Sequence, residues 1–393
     1  MSVGVFAADP NTAEKPATPA ANAYLVKYLK FAEGVTNPQI EFTFKFAAKD
    51  GAPAIADQKI TPATASESTT DGASVVGNKK ISDFLPTYTH AGVYTYEVTE
   101  EQSAAGFTDG EKTTTADGVT TKEKVTFSSE KYTLEVRIAN DGNGGLKPAE
   151  VSIIKDGETT KTDATDPDPS VTKDAENKDV DHGKESTIPG FSFTNTYEKT
   201  VKKPIDPNPE DPTTGKYGAA GITKTVKGAY GDQTFAFPFS LTLTKGVGVT
   251  GTSVEAKLIT GEDVEHATSV TVTYGEAYDF TLKHGQSLVF EELPNGVSYT
   301  VSEGLKNCGV KDETKYMAAL NGTDSTGGKG NDVSGEITVS DAAGAENDGH
   351  FTNTLDTDDV TPTGIIINNL PYVLLIGLAL GGIVLFSRKR RYE

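Results

Sequence analysis

GVYTYEVTE at residues 92–100 and its counterpart GVSYTVSE at residues 296–303 decide the fold of this chain. In both stretches aromatic or β-branched residues alternate with polar ones, and side chains two positions apart on a strand share a face. Each stretch therefore predicts a β-strand with one buried face. Each also ends on a glutamate, Glu100 or Glu303, which falls on the apolar face of its strand.

The sequence around these strands repeats as well. YLVKYL at residues 24–29 corresponds to ITKTV at residues 222–226, and FTNT occurs at both residues 193–196 and 351–354. A tandem repeat with period-two alternation predicts two antiparallel β-sandwiches with Greek-key connections. The chain is therefore expected to be all-β.

A segment rich in proline, threonine and charge lies near mid-chain and is typical of a linker. We expect five parts: a signal-peptide remnant and linker at 1–20, a first domain at 21–199, a Pro-rich linker at 200–218, a second domain at 219–355 and a C-terminal signal at 356–393. Polar, acidic stretches at 106–122 and 156–183 predict long surface loops in the first domain.

Composition excludes several functions. The 393 residues carry a formal net charge of −20, and an acidic surface repels phosphate, which excludes nucleic-acid binding. The single cysteine, Cys308, excludes an intramolecular disulfide. The histidines are scattered, and the aspartates around Asp163 lack EF-hand spacing, so we expect no metal and no cofactor. No GxSxG, HExxH or phosphate-loop motif is present, so an enzyme acting on an outside substrate has no candidate site.

Both ends of the sequence have the pattern of processing signals. Residues 365–386 carry no charge and are long enough to cross a bilayer as a helix, and the basic cluster at residues 388–391 would stay on the cytoplasmic side. A buried core helix is the alternative interpretation. VFAA at residues 5–8 has the small-residue pattern of a signal-peptide cleavage site.

Strand parity places a polar trio of each domain on apolar faces. The trios are Lys27, Glu100 and Asn195 in the first domain and Lys224, Glu303 and Asn353 in the second. Burial of an unpaired lysine or glutamate costs several kcal/mol, so a compensating interaction is required. Parity alone leaves two interpretations: a buried Lys–Glu salt bridge beside a spectator asparagine, or a reacting trio.

This order of lysine, glutamate and asparagine resembles the isopeptide-linked pilin domains of streptococcal major pilins. The resemblance covers residues 21–199 and 219–355 and implies immunoglobulin-like, Cna-B-like sandwiches. It also implies that each lysine amine attacks the asparagine side-chain carbonyl, that ammonia leaves, and that the glutamate is a general acid and proton shuttle. The implied amides join Lys27 to Asn195 and Lys224 to Asn353.

VTPTG at residues 360–364 precedes the apolar run and the basic tail, and this order resembles the LPxTG-type sorting signal of Gram-positive surface proteins. The first two positions depart from LP and look like the variants served by pilus-building sortases. The resemblance implies cleavage between Thr363 and Gly364, with the Thr363 carbonyl held as a thioester on sortase. It also implies an acceptor lysine on another copy, for which Lys184 is the nearest match. The alternatives are Lys173, Lys178, Lys202 and Lys203.

These observations predict a structural protein rather than an enzyme. The expected function is that of a major pilin, a pilus shaft subunit polymerised by sortase and anchored to peptidoglycan on a Gram-positive cell surface. The alternative is a monomeric, sortase-anchored cell-wall adhesin or stalk. The expected partners are sortase, other copies of the chain, peptidoglycan and a host surface or matrix ligand. The expected fold is two tandem immunoglobulin-like sandwiches and a C-terminal transmembrane helix.

Overall fold

The structure, a computed structural model, describes residues 18–69, 72–162, 172–173, 179–180, 191–205, 218–261 and 263–356. These residues form β-sandwiches with no α-helix in the ranges described, which confirms the all-β prediction. The expected C-terminal transmembrane helix and the N-terminal signal remnant lie outside the described residues. Within those ranges, no helix has both the length and the apolar character needed to span a membrane.

The first body consists of two main sheets, with β13 pairing β14 separately. One main sheet has the order β1-β11-β10-β7-β3-β4 with β12 beside β11, and the other has the order β5-β6-β2-β15-β9-β8. The strands are β1 (Thr18–Pro19), β2 (Tyr24–Phe31), β3 (Phe42–Ala48), β4 (Gln58–Ile60), β5 (Thr64–Thr69), β6 (Gly72–Lys80), β7 (Gly92–Glu100), β8 (Glu111–Ala116), β9 (Val119–Thr126), β10 (Lys131–Asn140), β11 (Leu146–Lys155), β12 (Lys161–Thr162), β13 (Thr172–Lys173), β14 (Asp179–Val180) and β15 (Ser192–Lys202).

The second body has one sheet of order β19-β18-β21-β16-β27-β24-β25 and a second of order β20-β17-β23-β26, while β22 pairs with β15 of the first body. Short 3-10 helices occupy Ala20–Asn22 and Ile81–Asp83 in the first body and Glu313–Lys315 in the second. The strands are β16 (Ala220–Lys227), β17 (Phe237–Thr244), β18 (Ser253–Thr260), β19 (Asp263–Thr273), β20 (Ala277–Leu282), β21 (Gln286–Phe290), β22 (Glu292–Pro294), β23 (Ser298–Glu303), β24 (Met317–Leu320), β25 (Thr323–Asp324), β26 (Val333–Thr338) and β27 (Gly349–Thr354).

The first and last main strands of each body run parallel, whereas the sequence predicted antiparallel sandwiches. β2 pairs with β15 and β16 pairs with β27 in parallel. In the first body Lys27 lies opposite Phe193, so that Asn195 is two residues further along β15. The second body has the same offset, with Lys224 opposite Phe351 and Asn353 two residues beyond. Residues two apart share a face, so each lysine and asparagine point into the same core.

Each body has its own hydrophobic core between its sheets. In the first body β2 is buried on both faces, because Val26 and Tyr28 form a second small cluster with Val76 on the other side of the sheet. The apolar face that carries Lys27 therefore turns toward the main core. Lys27 lies near the last residue of β7 and the first residues of β15.

Two stretches for which the sequence predicts no strand contain strands in the structure. The stretch 106–122, predicted as a surface loop, contributes the hairpin of β8 and β9, whose turn has Asp117 and Gly118 at positive φ. Strand β15 extends to Lys202, into the predicted linker, and pairs there with β22. The two bodies are thus joined by continuous main-chain hydrogen bonding before the remaining linker residues begin.

Charged and main-chain contacts also connect the two bodies at this junction. The Lys199 Nζ lies 2.5 Å from Asp341 Oδ2, and both the backbone and hydroxyl of Thr36 donate to Asp341 Oδ1 at 2.8 and 2.9 Å. The Ser340 hydroxyl donates to the Gly34 carbonyl at 2.8 Å. These bonds tie the loop after β2 and the end of β15 to one loop of the second body.

Gly296 lies close against Ala32 of the first body, and its replacement tests how firmly the bodies dock. It has φ +82°, and a Cβ there would lie 2.0 Å from the Ala32 Cβ. Gly296→Ala is expected to separate the bodies, seen as a lower calorimetric transition for the second body and faster proteolysis near residue 203. Gly275→Ala is the matched control, because Gly275 has φ +77° with no atom within 4 Å and carries only the backbone cost of about 1–2 kcal/mol. Equal effects of the two variants would contradict a tight junction.

Candidate functional site

The first cluster consists of Lys27 on β2, Glu100 at the end of β7 and Asn195 on β15. All three are buried, with Lys27 and Asn195 at 0% exposure. The Lys27 Nζ lies 2.8 Å from Glu100 Oε2, and the Asn195 side-chain Nδ2 donates to Glu100 Oε1 at 2.6 Å. The glutamate therefore bridges the lysine amine and the asparagine amide, one with each carboxyl oxygen.

A main-chain donor completes the first cluster. The backbone N–H of Ser128, just after β9, donates to Asn195 Oδ1 at 2.7 Å, in a buried position. Sequence reasoning missed this contact, because every residue other than proline carries a backbone N–H and no sequence signal distinguishes this one. The asparagine amide is thus held at both its oxygen and its nitrogen.

The second cluster repeats the arrangement with Lys224 on β16, Glu303 on β23 and Asn353 on β27. All three are buried, at 1% exposure or less. The Lys224 Nζ lies 2.5 Å from Glu303 Oε1, and Asn353 Nδ2 donates to the same oxygen at 2.6 Å. Neither Glu303 Oε2 nor Asn353 Oδ1 has a hydrogen-bond partner among the described residues.

Aromatic rings border both lysine amines. The Lys27 Nζ lies 4.5 Å from the centre of the Phe42 ring, and the Lys224 Nζ lies 4.4 Å from the Phe237 ring. These rings come from the strand that precedes the glutamate strand in the sheet, where phenylalanines alternate with smaller residues. The ring faces exclude solvent around the amines while offering a weak attraction to their positive form.

Burial shifts the ionisation of the lysines and glutamates in opposite directions. It lowers the pKa of Lys27 from 10.5 to about 8, although Glu100 opposes the shift, and it lowers the pKa of Lys224 to about 8 against Glu303 in the same way. Burial also raises the pKa of Glu100 and of Glu303, although the lysines oppose this. Both shifts favour a neutral amine beside a neutral carboxylic acid, since a low-dielectric interior disfavours charge.

Several other predicted site residues are not described. Lys184, Thr363 and Gly364 lie outside the described ranges, as does the competing Lys178. Lys173 is described only as part of β13. Of the remaining competitors, Lys202 is exposed at the end of β15 and Lys203 is half-buried beside it. The structure therefore brings together the three residues of each buried cluster. The sorting signal lies outside the described residues.

One group of potential metal ligands occurs among the described residues. Glu346, Asp348 and His350 place one ligand atom each within 4.8 Å of one another, at alternate positions leading into β27. Burial, followed by the nearby Glu346, raises the pKa of Asp348 to about 7. The Thr223 hydroxyl is hydrogen-bonded to His350 Nδ1 at 2.9 Å. None of these three residues belongs to a Lys–Glu–Asn cluster, and no sequence motif had indicated the group.

Two family models match the chain. Residues 25–198 match the model described as a Spy0128-like isopeptide containing domain, and residues 221–355 match a domain of unknown function, DUF7601. The second match assigns no chemistry to its residues. The first match includes the whole of the first cluster.

Known proteins with similar sequences come from Streptococcus pyogenes. A pilin of serotype M1 is 28% identical over 207 residues, which is 52% of this chain and 57% of the pilin. The pilus tip adhesin Cpa is 35% identical over 108 residues, which is 28% of this chain and 14% of the adhesin. The chain thus spans less than two thirds of the length of either relative.

Solved structures include the crystal structure of the major pilin from Streptococcus pyogenes, which is 20% identical with a TM-score of 0.31, covering 85% of this chain and 99% of that one. Residues 25–198 match the Spy0128-like isopeptide containing domain, and in this region the chain is similar to a streptococcal-type major pilin.

Proposed function

We propose that this chain is a pilus shaft subunit in which a Lys–Asn amide closes each body. The proposal rests on one observation: a buried lysine, glutamate and asparagine occur in both bodies. In each, the asparagine lies two residues beyond the partner of the lysine on the parallel strand. A buried salt bridge is a weak stability device, because desolvation offsets most of its attraction. A reaction that removes both the amine and the amide gives a reason for burying this trio in both bodies.

The proposed reaction in the first body joins Lys27 to Asn195. The neutral Nζ attacks the asparagine Cγ, and a new C–N bond forms. Glu100 takes a proton from Nζ on its Oε2 and gives a proton to Nδ2 from its Oε1, so that the Cγ–Nδ2 bond breaks and ammonia leaves. The carboxylic acid is regenerated, and each cluster reacts once. The chain is therefore a structural subunit and not an enzyme with turnover.

The same roles pass to Lys224, Glu303 and Asn353 in the second body. The pKa directions support them, because the nucleophile must be a free amine and the shuttle must carry a proton. The two parallel strands joined in each body are the first and the last, so each amide closes most of a domain. Such closure suits a subunit that transmits tension along a fibre.

Polymerisation and anchoring form the second half of the proposal. The similarity to a pilin supports assembly with other copies, and the VTPTG motif at residues 360–364 supports cleavage by a pilus-building sortase. The acyl group of Thr363 would pass to a lysine of another copy, for which we propose Lys184, and finally to peptidoglycan. The product would be a pilus on the cell surface.

A wall-anchored monomeric adhesin is the second candidate. It is favoured by one observation, the 35% identity to a pilus tip adhesin over 108 residues. The two candidates share internal amides and a sorting signal. They differ in whether copies become joined to one another.

A covalent ladder in cell-wall extracts distinguishes them. In a Gram-positive host with a pilus sortase, the full chain is expected to give a ladder of high-mass species in a denaturing gel, because amide-linked copies survive boiling. Deletion of residues 365–393 is expected to abolish the ladder and release the protein into the medium, since sortase must find its substrate held at the membrane. Truncated protein that still polymerised would refute the sorting signal.

The acceptor lysine is tested in the same assay. Lys184→Ala is expected to abolish the ladder while the internal amides remain, and Lys202→Ala is the matched control that keeps it. A peptide that joins Thr363 to a lysine other than Lys184 would refute this assignment. Monomer alone from the unaltered chain, with wall attachment retained, would favour the adhesin.

A further inference from the structure

The two clusters differ in how the asparagine oxygen is held. From this difference we infer that the backbone N–H of Ser128 is a catalytic hydrogen-bond donor, which makes the first amide form faster than the second. The inference rests on the proposed amide formation and concerns the rate of that reaction at each site.

Negative charge develops on the asparagine oxygen during the attack. When the Lys27 Nζ bonds to the Asn195 Cγ, the C=O electron pair moves onto Oδ1 until ammonia leaves. The Ser128 N–H already lies 2.7 Å from this oxygen, and both residues are buried, at 7% and 0% exposure. A preorganised donor in a site that excludes water stabilises such charge without rearrangement.

The same hydrogen bond also orients the amide for the reaction. With Oδ1 held by Ser128, the Asn195 Nδ2 faces Glu100 Oε1 at 2.6 Å. The leaving nitrogen is therefore the atom next to the acid. The other carboxyl oxygen, Oε2, contacts the attacking Nζ at 2.8 Å, so that one oxygen receives a proton while the other gives one up.

The second cluster lacks both features. Asn353 Oδ1 has no hydrogen-bond partner among the described residues, so no donor there meets the developing charge. The attacking Nζ and the leaving Nδ2 both contact Oε1 of Glu303, while its Oε2 has no partner within the described ranges. A proton relay through both carboxyl oxygens requires the carboxyl group or the amide to rotate first.

The expected difference in rate is large. Loss of one donor to a developing oxyanion slows acyl transfer by roughly 10²- to 10³-fold. We therefore expect the Lys27–Asn195 amide to form roughly 10²-fold or more ahead of the Lys224–Asn353 amide. Both clusters have a neighbouring aromatic ring and a lysine pKa of about 8, so these features do not predict a difference.

The full chain provides its own comparison. Protein made by cell-free translation is quenched in acid at successive times and digested, and the two cross-linked peptides are quantified by mass spectrometry. Earlier appearance of the Lys27–Asn195 peptide supports the inference. Equal rates, or a faster second site, overturn it while leaving the proposed amides intact, and failure of both peptides to appear at any time refutes the proposed function itself.

Substitutions at Ser128 test the donor directly. Ser128→Pro removes the N–H and is expected to slow the first amide by roughly 10²-fold. The second amide in the same molecule should keep its rate and serves as the internal reference, while resistance of the first body to proteolysis reports that this body folds. Ser128→Ala keeps the N–H and is expected to react normally. An unchanged first-site rate in a folded Ser128→Pro protein, or equal slowing by both substitutions, would overturn the inference, and the comparison of the two sites stands even if the proline variant does not fold.

Discussion

The intact mass of the folded protein is expected to lie about 34 Da below the mass of its sequence, because each amide releases one ammonia of about 17 Da. In Lys27→Ala and in Lys224→Ala the deficit should fall to about 17 Da relative to the variant's own sequence, since each substitution removes one nucleophile. Intact-mass spectrometry under denaturing conditions measures the deficit. A mass equal to that of the plain sequence would refute both amides.

Loss of the first amide is also expected to lower stability strongly. The amide closes a loop of well over a hundred residues, worth about 5 kcal/mol by the loop-entropy argument used for disulfides. Lys27→Ala should therefore lower the melting temperature of the first body by roughly 10–20 °C. The buried Glu100, whose Oε2 then has no nitrogen of residue 27 beside it, adds to the loss. Lys45→Ala is the matched control: Lys45 forms an exposed ion pair with Asp57, so its loss should leave the mass deficit and melting temperature nearly unchanged.

The burial of both trios follows from the sequence because alternation is a property of single strands. Parity needs only the residues two positions before and after Lys27 or Glu303, and the structure buries these side chains where parity places them. Parity places each residue only on a face of its own strand, so it does not predict which strands meet. The meeting of lysine, glutamate and asparagine was implied by the resemblance to isopeptide-linked pilin domains.

Strand direction could not be predicted in the same way. A strand such as β2 shows the same alternation whether its neighbour runs parallel or antiparallel, because the side-chain period is two in both cases. The direction of β15 beside β2 depends on the path of the intervening chain. The antiparallel expectation was therefore wrong for the pair that carries the lysine and asparagine.

The hairpin of β8 and β9 was predictable from its sequence, but its polar residues led to the prediction of a loop. Its strands are rich in threonine, which favours β-structure, and Asp117-Gly118 is a preferred turn dipeptide with φ of +52° and +78°. Apolar alternation is weak there because nearly all residues of β8 are exposed, on both faces of the strand. The Ser128 donor and the Gly296 contact had no such signal, since each depends on main-chain atoms brought together by the fold.

Replacement of Glu100 by glutamine is expected to abolish the first amide. Glutamine keeps the size of the side chain but carries no exchangeable acid proton, so no proton passes from Nζ to the leaving nitrogen. The mass deficit should fall from about 34 to about 17 Da, with the Lys224–Asn353 peptide still present. Glu97→Gln is the matched control, because Glu97 lies on the same strand in an exposed pair with Lys49. A first amide formed at the normal rate in Glu100→Gln would refute the role of the acid.

The rate at the first site should depend on pH as a bell-shaped curve. The reactive form has a neutral Lys27 and a protonated Glu100, which together hold one ionisable proton. Above about pH 8, where burial places the lysine pKa, that shared proton is lost and the shuttle has none to give. Below the pKa of Glu100, which burial raises, the amine stays protonated and cannot attack. Time courses of the Lys27–Asn195 peptide measure this curve, and a rate that kept rising well above pH 8 would show that the free amine alone, without the acid, limits the reaction.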